Sequence, residues 1–165
     1  QYGVRGVPWI RIGEFELEGL HSPAELEQWA RRAGSEQGLA LYYTELLKQG
    51  KLPKVLETIK QKPQNLAALF LLAEDPDTEL SVRIGVSAVL EDLAGTPTLQ
   101  ARLPDIIALA RHDDPRVRSD ACHFLALTRD SGALKPLQAL VEDPERSVRD
   151  VARDSLEELK EFLDG

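Results

Sequence analysis

The 165 residues contain no methionine and a single cysteine, Cys122. No apolar run approaches the ~20 residues that a membrane-crossing helix needs. With one thiol, the chain has no internal disulfide and no Cys-x-x-Cys metal or redox pair. A reducing, cytoplasmic setting is the simplest expectation from that cysteine usage. A chain without methionine does not begin at a natural start of translation, so it reads as a fragment or as a product that has lost a leader. Gln1-Tyr2-Gly3-Val4-Arg5 lacks the apolar centre of a secretory signal. There is no phosphate-binding glycine loop, serine elbow or dinucleotide fingerprint. The three histidines, His21, His112 and His123, have no zinc spacing. The acidic turns at Glu74, Asp75 and Asp77 and at Asp113 and Asp114 lack the spacing and central glycine of a calcium loop. Catalytic residues, a metal and a cofactor are therefore not expected.

Positive charge is also scarce. The net charge is −8, and it is unevenly shared. Residues 1–34 hold four arginines against five glutamates, and the remainder holds 16 basic against 23 acidic side chains. Such a surface repels a phosphate backbone, which argues against nucleic acid as the partner.

What the chain does have is internal repetition. Leu72-Ala73-Glu74-Asp75-Pro76 is followed by Val82-Arg83 and Ala88. Leu109-Ala110-Arg111-His112-Asp113-Asp114-Pro115 is followed by Val117-Arg118 and Ala121. Leu140-Val141-Glu142-Asp143-Pro144 is followed by Val148-Arg149 and Ala152. The Val-Arg pairs recur after 35 and then 31 residues, the period of a helix–turn–helix unit. The first copy carries two extra residues between its leucine and its valine. Asp before Pro predicts a helix start: the carboxylate accepts from orphan N–H groups, and Pro at the first helical position loses no bond. Apolar residues follow at helical spacing, for example Val117, Ala121, Phe124 and Leu125. One such hairpin cannot bury its stripe alone, so the copies must stack. A diverged unit precedes them, with Leu39, Tyr42, Tyr43, Leu46 and Leu47 on one helix and Val55, Leu56 and Ile59 on the next. The predicted units are 35–62 (diverged), 64–95, 98–130 and 132–163. Glu157, Glu158, Lys160, Glu161 and Asp164 give the last helix a charged outer face that suits a cap.

The Asp-Pro, Val-Arg and Ala pattern over about 64–163 resembles the HEAT-like repeats, including the branch named after phycobilisome lyases. The resemblance implies an α-helical solenoid. It also implies a ladder between adjacent repeats, drawn from Asp75, Asp114 and Asp143 with Arg83, Arg118 and Arg149. These residues read as structural in the first instance and as a partner-binding row of arginines in the second. The lyase branch would imply handling of a linear tetrapyrrole, on family analogy alone.

Residues 1–34 differ in texture. Val7–Ile12 reads as a strand, Gly13-Glu14 as a turn and Phe15–Glu18 as a second strand with alternating apolar and acidic positions. Ser22-Pro23-Ala24-Glu25 combines an N-cap, Pro at the first helical position and a capping-box glutamate. Leu26, Trp29 and Ala30 form the helix's apolar face, and Gly34 stops it. Strand, turn, strand and helix behind Gly3-Val4-Arg5-Gly6-Val7-Pro8 resemble the C-terminal half of a thioredoxin or glutaredoxin domain. That resemblance implies a cis-proline at Pro8 and a substrate-pairing backbone at Val7. The family's thiol pair is absent, and Gly19-Leu20-His21 stands where a glycine pair is expected. A half domain would expose a strand edge, so a homodimer through the hairpin is expected; a monomeric mass by light scattering well above micromolar concentration would exclude it.

The fold expected is therefore mainly α: a HEAT-like solenoid behind a β-hairpin and helix that form a partial thioredoxin-like fold. The function expected is non-enzymatic binding of a protein partner on a concave surface of the helices. The alternative is a thiol-disulfide oxidoreductase or electron-delivery protein in its full-length form, marked by a Cys-x-x-Cys about 40 residues ahead of Gln1. Cys122 beside His123 is a poor nucleophile pair, because adjacent helical side chains diverge. A buried structural thiol is expected there.

Overall fold

The computed structural model describes residues 8–165. Val7, and with it the Val7–Pro8 peptide bond, lies outside the described residues, whereas Pro8 itself is exposed. Two short antiparallel strands, β1 (Trp9–Ile12) and β2 (Phe15–Glu18), are paired in the register Ile12↔Phe15 to Trp9↔Glu18. Gly13 makes the turn at φ +58, where a side chain would be strained. Helix α1 (Pro23–Arg32) follows with the capping box in place. The Glu25 N–H donates to Ser22 Oγ at 3.2 Å, and the Ser22 N–H donates to Glu25 Oε2 at 2.9 Å. Leu26 and Trp29 are half-buried, whereas Ala30, expected on the apolar face, is exposed. Gly34 (φ +78) then turns the chain.

The hairpin packs onto α2 (Glu36–Lys48) through aromatic side chains. Phe15 lies 5.0 Å from Trp29 and 5.1 Å from Tyr42, centroid to centroid. Pairs of this kind contribute about 0.5–1.5 kcal/mol beyond the area they bury. The Tyr42 hydroxyl also reaches the outer edge of β2. It accepts from the Glu16 N–H at 3.2 Å and donates to the Glu16 carbonyl at 3.3 Å. Lys54 and Lys51 pair with Glu16 and Glu18 at 2.5 and 3.1 Å. On β2 the Glu16 N–H and carbonyl are thus taken up by a helix side chain.

Helical hairpins make up the rest. Helices α3 (Leu52–Gln61), α4 (Ala67–Glu74), α5 (Leu80–Asp92) and the short α6 (Pro97–Gln100) come first. Then come α7 (Leu103–Leu109), α8 (Pro115–Leu127), α9 (Leu134–Leu140) and α10 (Arg146–Asp164). Two layers result: α4 packs on α2 and α7, while α8 packs between α5 and α10. Val82, Val117 and Val148 are fully buried, as are Ala121 and Ala152, where helices approach closely. One continuous core runs from Phe15 to Leu159.

Two of the three expected helix starts are displaced. Only Asp114-Pro115 is an N-cap followed by Pro at the first position. At Asp75-Pro76 the two extra residues form a turn, and α5 begins at Leu80. At Asp143-Pro144 the helix begins at Arg146. In both, the aspartate accepts from the N–H two residues on instead of capping the helix.

Candidate functional site

The repeat turns set the geometry of the site. Three residues beyond Leu72, Leu109 and Leu140 stand Asp75, His112 and Asp143. Each accepts from the backbone N–H two residues on: Asp75 Oδ1 from Asp77, His112 Nδ1 from Asp114 and Asp143 Oδ1 from Glu145, all at 2.9 Å. His112, not Asp114, is therefore the counterpart of the two aspartates. Asp114 serves its own helix, accepting from the Arg116 N–H at 2.8 Å and pairing with the Arg116 guanidinium. The hydrogen bonds from Arg116 hold its carboxyl at about 2.

The arginines follow from this register. Arg118 donates through Nη1 to the carbonyls of its own turn, His112 and Asp113, both at 2.8 Å. Its Nε and Nη2 form a fork on Asp143 of the next turn at 2.8 and 3.0 Å. Both partners are largely buried, with side chains 13% and 6% exposed. Hydrogen bonds from Arg118 hold the Asp143 carboxyl below the usual carboxylate range. Arg149 clamps its own turn in the same way, through Nη1 to the Asp143 and Pro144 carbonyls at 2.7 and 2.9 Å. Arg83 cannot repeat the pattern, because the next turn offers His112 where a carboxylate is needed. It pairs with Asp120 on α8 and donates to the Arg116 carbonyl at 3.4 Å. Asp75 is exposed and meets none of the three arginines.

The two seams on the second-helix layer therefore differ. Between α8 and α10, the side of α8 beyond Arg118 carries Cys122 and Ala126, both buried. At the matching positions α5 carries Ser87 and Glu91 beyond Arg83. Polar side chains do not close a dry seam, and Glu91 instead reaches His123 at 3.0 Å. A groove of about 500 Å³ runs between α5 and α8, lined by Leu80, Ile84, Ser87 and Ala88 on one side and Pro115, Ser119 and Asp120 on the other. Leu80 is 71% and Ile84 61% exposed, one helical turn apart on the groove's margin. Large aliphatic side chains held this far into water on a rigid helix are anchors suited to an apolar partner. A larger cleft of about 760 Å³ crosses the first-helix layer. Its apolar floor, Leu39 and Phe70, is already buried, and side chains of both signs surround it: Glu14, Glu36, Glu74 and Asp105 with Lys62 and Arg102.

Cys122 is fully buried, and burial pushes its thiol up to about 12, so it stays protonated and inert. The adjacent His123 points away, to Glu91 on α5. Among the described residues no three His, Cys, Asp or Glu side chains converge as a metal site would require. No described helix is long and apolar enough to cross a membrane. The exposed pair Leu80 and Ile84 escaped the sequence reading, since both sit among the helically spaced apolar residues of α5. The signal was the two-residue insertion ahead of Val82, which moves the start of the helix. Residues 66–157 match the family model described as HEAT repeats. No curated protein matches the chain.

Proposed function

The chain belongs to the HEAT-repeat family, and from that premise we propose that it is a non-enzymatic protein-interaction module whose docking surface is the groove between α5 and α8. The observation that carries this reading is the exposed pair Leu80 and Ile84 beside a groove floored by small residues. An apolar side chain of a protein partner would enter between them, and the rim at Arg83, Arg116 and Glu91 would meet its polar flanks. This follows the usual division of a protein interface into an apolar centre and a wet margin. A cytoplasmic setting goes with this reading through the single uncrosslinked thiol.

The thioredoxin-like reading of residues 1–34 rests on the sequence resemblance alone, and the matched family model begins only at residue 66. A redox role would belong to a thiol pair outside these 165 residues, and the lyase reading has no support beyond the family name. Pairing of two copies through the hairpin would have to use β1, whose Trp9 is exposed.

The test is retention on the immobilised chain, comparing wild type, Ile84→Asp and the remote surface variant Arg111→Gln. The expected outcome is a defined protein held by wild type and Arg111→Gln, lost by Ile84→Asp, and rebound when purified. Equal retention by Ile84→Asp and wild type would overturn the groove assignment.

A further inference from the structure

The charges around the α5–α8 groove balance except at one end. Arg83 is paired with Asp120 and Arg116 with Asp114, so these four cancel. Glu91 is different. Its side chain is 55% exposed, and its partner is the imidazole of His123 at 3.0 Å, not a fixed cation. Among the described residues no Lys or Arg lies within ion-pair distance of it. Lys60 stands 3.7 Å from the neighbouring Asp92, and Arg129, just beyond α8, lies over the Phe162 ring. The helices add to the imbalance. Arg83 meets Asp120 and Glu91 meets His123, so α5 and α8 run in the same direction. Their carbonyl ends, at Asp92 and Leu127, therefore share the Glu91 end of the groove, and neither last turn holds a basic residue. Each such end carries about half a negative charge.

We propose that the groove docks a basic amphipathic helix of a protein partner, whose leucine face lies on Leu80 and Ile84 and whose lysine or arginine meets Glu91. This rests on the groove reading and names the chemistry of the partner. Charge complementarity is the first support. Glu91 is the uncompensated acid on the groove, and the net charge of −8 draws a basic segment in while repelling a second copy of the chain. Spacing is the second. Leu80, Ile84 and Glu91 follow at intervals of four and seven residues, so they share one side of α5. Ile84 and Glu91 lie two helical turns apart, about 10 Å, and the small side chains of Ser87 and Ser119 between them leave room for a third helix. Running antiparallel to α5, that helix would bring its own positive N-terminal end to the two carbonyl ends. Its base therefore precedes its first leucine by seven residues.

The experiment measures fluorescence anisotropy of a labelled synthetic helical peptide titrated with the full chain at low salt. The peptide carries a lysine, a leucine seven residues on and a second leucine four residues further. Its controls have glutamine or glutamate in place of the lysine. The lysine peptide is expected to bind, the glutamine peptide about two- to fivefold more weakly and the glutamate peptide more weakly still. Glu91→Gln is expected to abolish the difference between the lysine and glutamine peptides. Glu91→Lys should reverse the order, so that the glutamate peptide binds best, a result that loss of fold could not produce. His123→Ala, which frees Glu91, should raise affinity for the lysine peptide alone. Ile84→Asp should abolish binding of all three. No binding of the lysine peptide, equal binding of the three, or an unchanged order in Glu91→Lys would overturn the basic-helix assignment. Equal binding that Ile84→Asp still abolished would leave the groove reading standing, whereas binding indifferent to Ile84→Asp would overturn both. A dimer of the chain lost in Ile84→Asp would assign the groove to a second copy and overturn the partner named here.

Discussion

Two seams run side by side through the second-helix layer, and they were built from the same pattern. Between α8 and α10, Arg118 forks onto a carboxylate that is nearly dry, and the small side chains of Cys122 and Ala126 fill the contact. Between α5 and α8, Arg83 meets Asp120, whose side chain is 30% exposed, and Ser87 and Glu91 leave a groove. One substitution of type in the turn, His112 where Asp143 stands in the next unit, accounts for the change of partner. Two more, at Ser87 and Glu91, account for the opening. A repeat can therefore be tight or accessible without any change in its helices, and the seam positions decide which it is.

The comparison is open to direct attack. The largest effect is expected from Asp143→Ala, which strands the buried Arg118 guanidinium and should lower unfolding stability by about 3 kcal/mol in chemical denaturation. Asp120→Ala, at the looser seam, should cost about 1 kcal/mol or less, because water already screens that pair. Equal losses would erase the distinction between the seams. Tyr42→Phe should cost about 1 kcal/mol, since it leaves the Glu16 backbone groups without their partner. Hydrogen exchange at the amides of β2 reports this locally.

Acid should separate the seams further. Asp143 binds its proton more weakly when folded than when unfolded, and so does Asp114, whose folded value is about 2. Their stabilisation is present above the ordinary carboxylate value and is lost as pH falls from there through the depressed folded values. The stability of Asp143→Asn should fall less steeply below about pH 4 than that of wild type. The smallest effect is expected from Ile84→Asp, within about 0.5 kcal/mol, because the side chain is already in water. A large loss there would mean that the groove is part of the core.

Much of this architecture was legible in the residues. The helical spacing of Val117, Ala121, Phe124 and Leu125 and the Val-Arg period identified the hairpins, because burial of a helix stripe leaves a 3.6-residue trace. Ser22 and Glu25 marked the start of α1 because a capping box satisfies the first backbone N–H groups locally. The turns were harder. Alignment on the Asp-Pro dipeptide put Asp114 in the ladder, whereas the hydrogen bonds put His112 at the equivalent turn position, since an imidazole nitrogen accepts a backbone N–H as a carboxylate does but offers no carboxylate to Arg83. The partner of Arg83 was not readable, because it depends on which α8 side chain faces α5 once the layers are stacked. The exposure of Leu80 and Ile84 depends on the same stacking, which spacing along one helix does not encode.

The Tyr42 hydroxyl at the edge of β2 has a consequence for the order in which the chain folds. A lone two-stranded hairpin is marginal in water, and here its outer backbone groups and its aromatic face are both completed by α2. The contact joins residues 26 apart in sequence, so it closes late compared with the turns of a helix. The hairpin is then expected to behave as a latch on the repeats, fastening after α2 has docked and opening first when that docking fails.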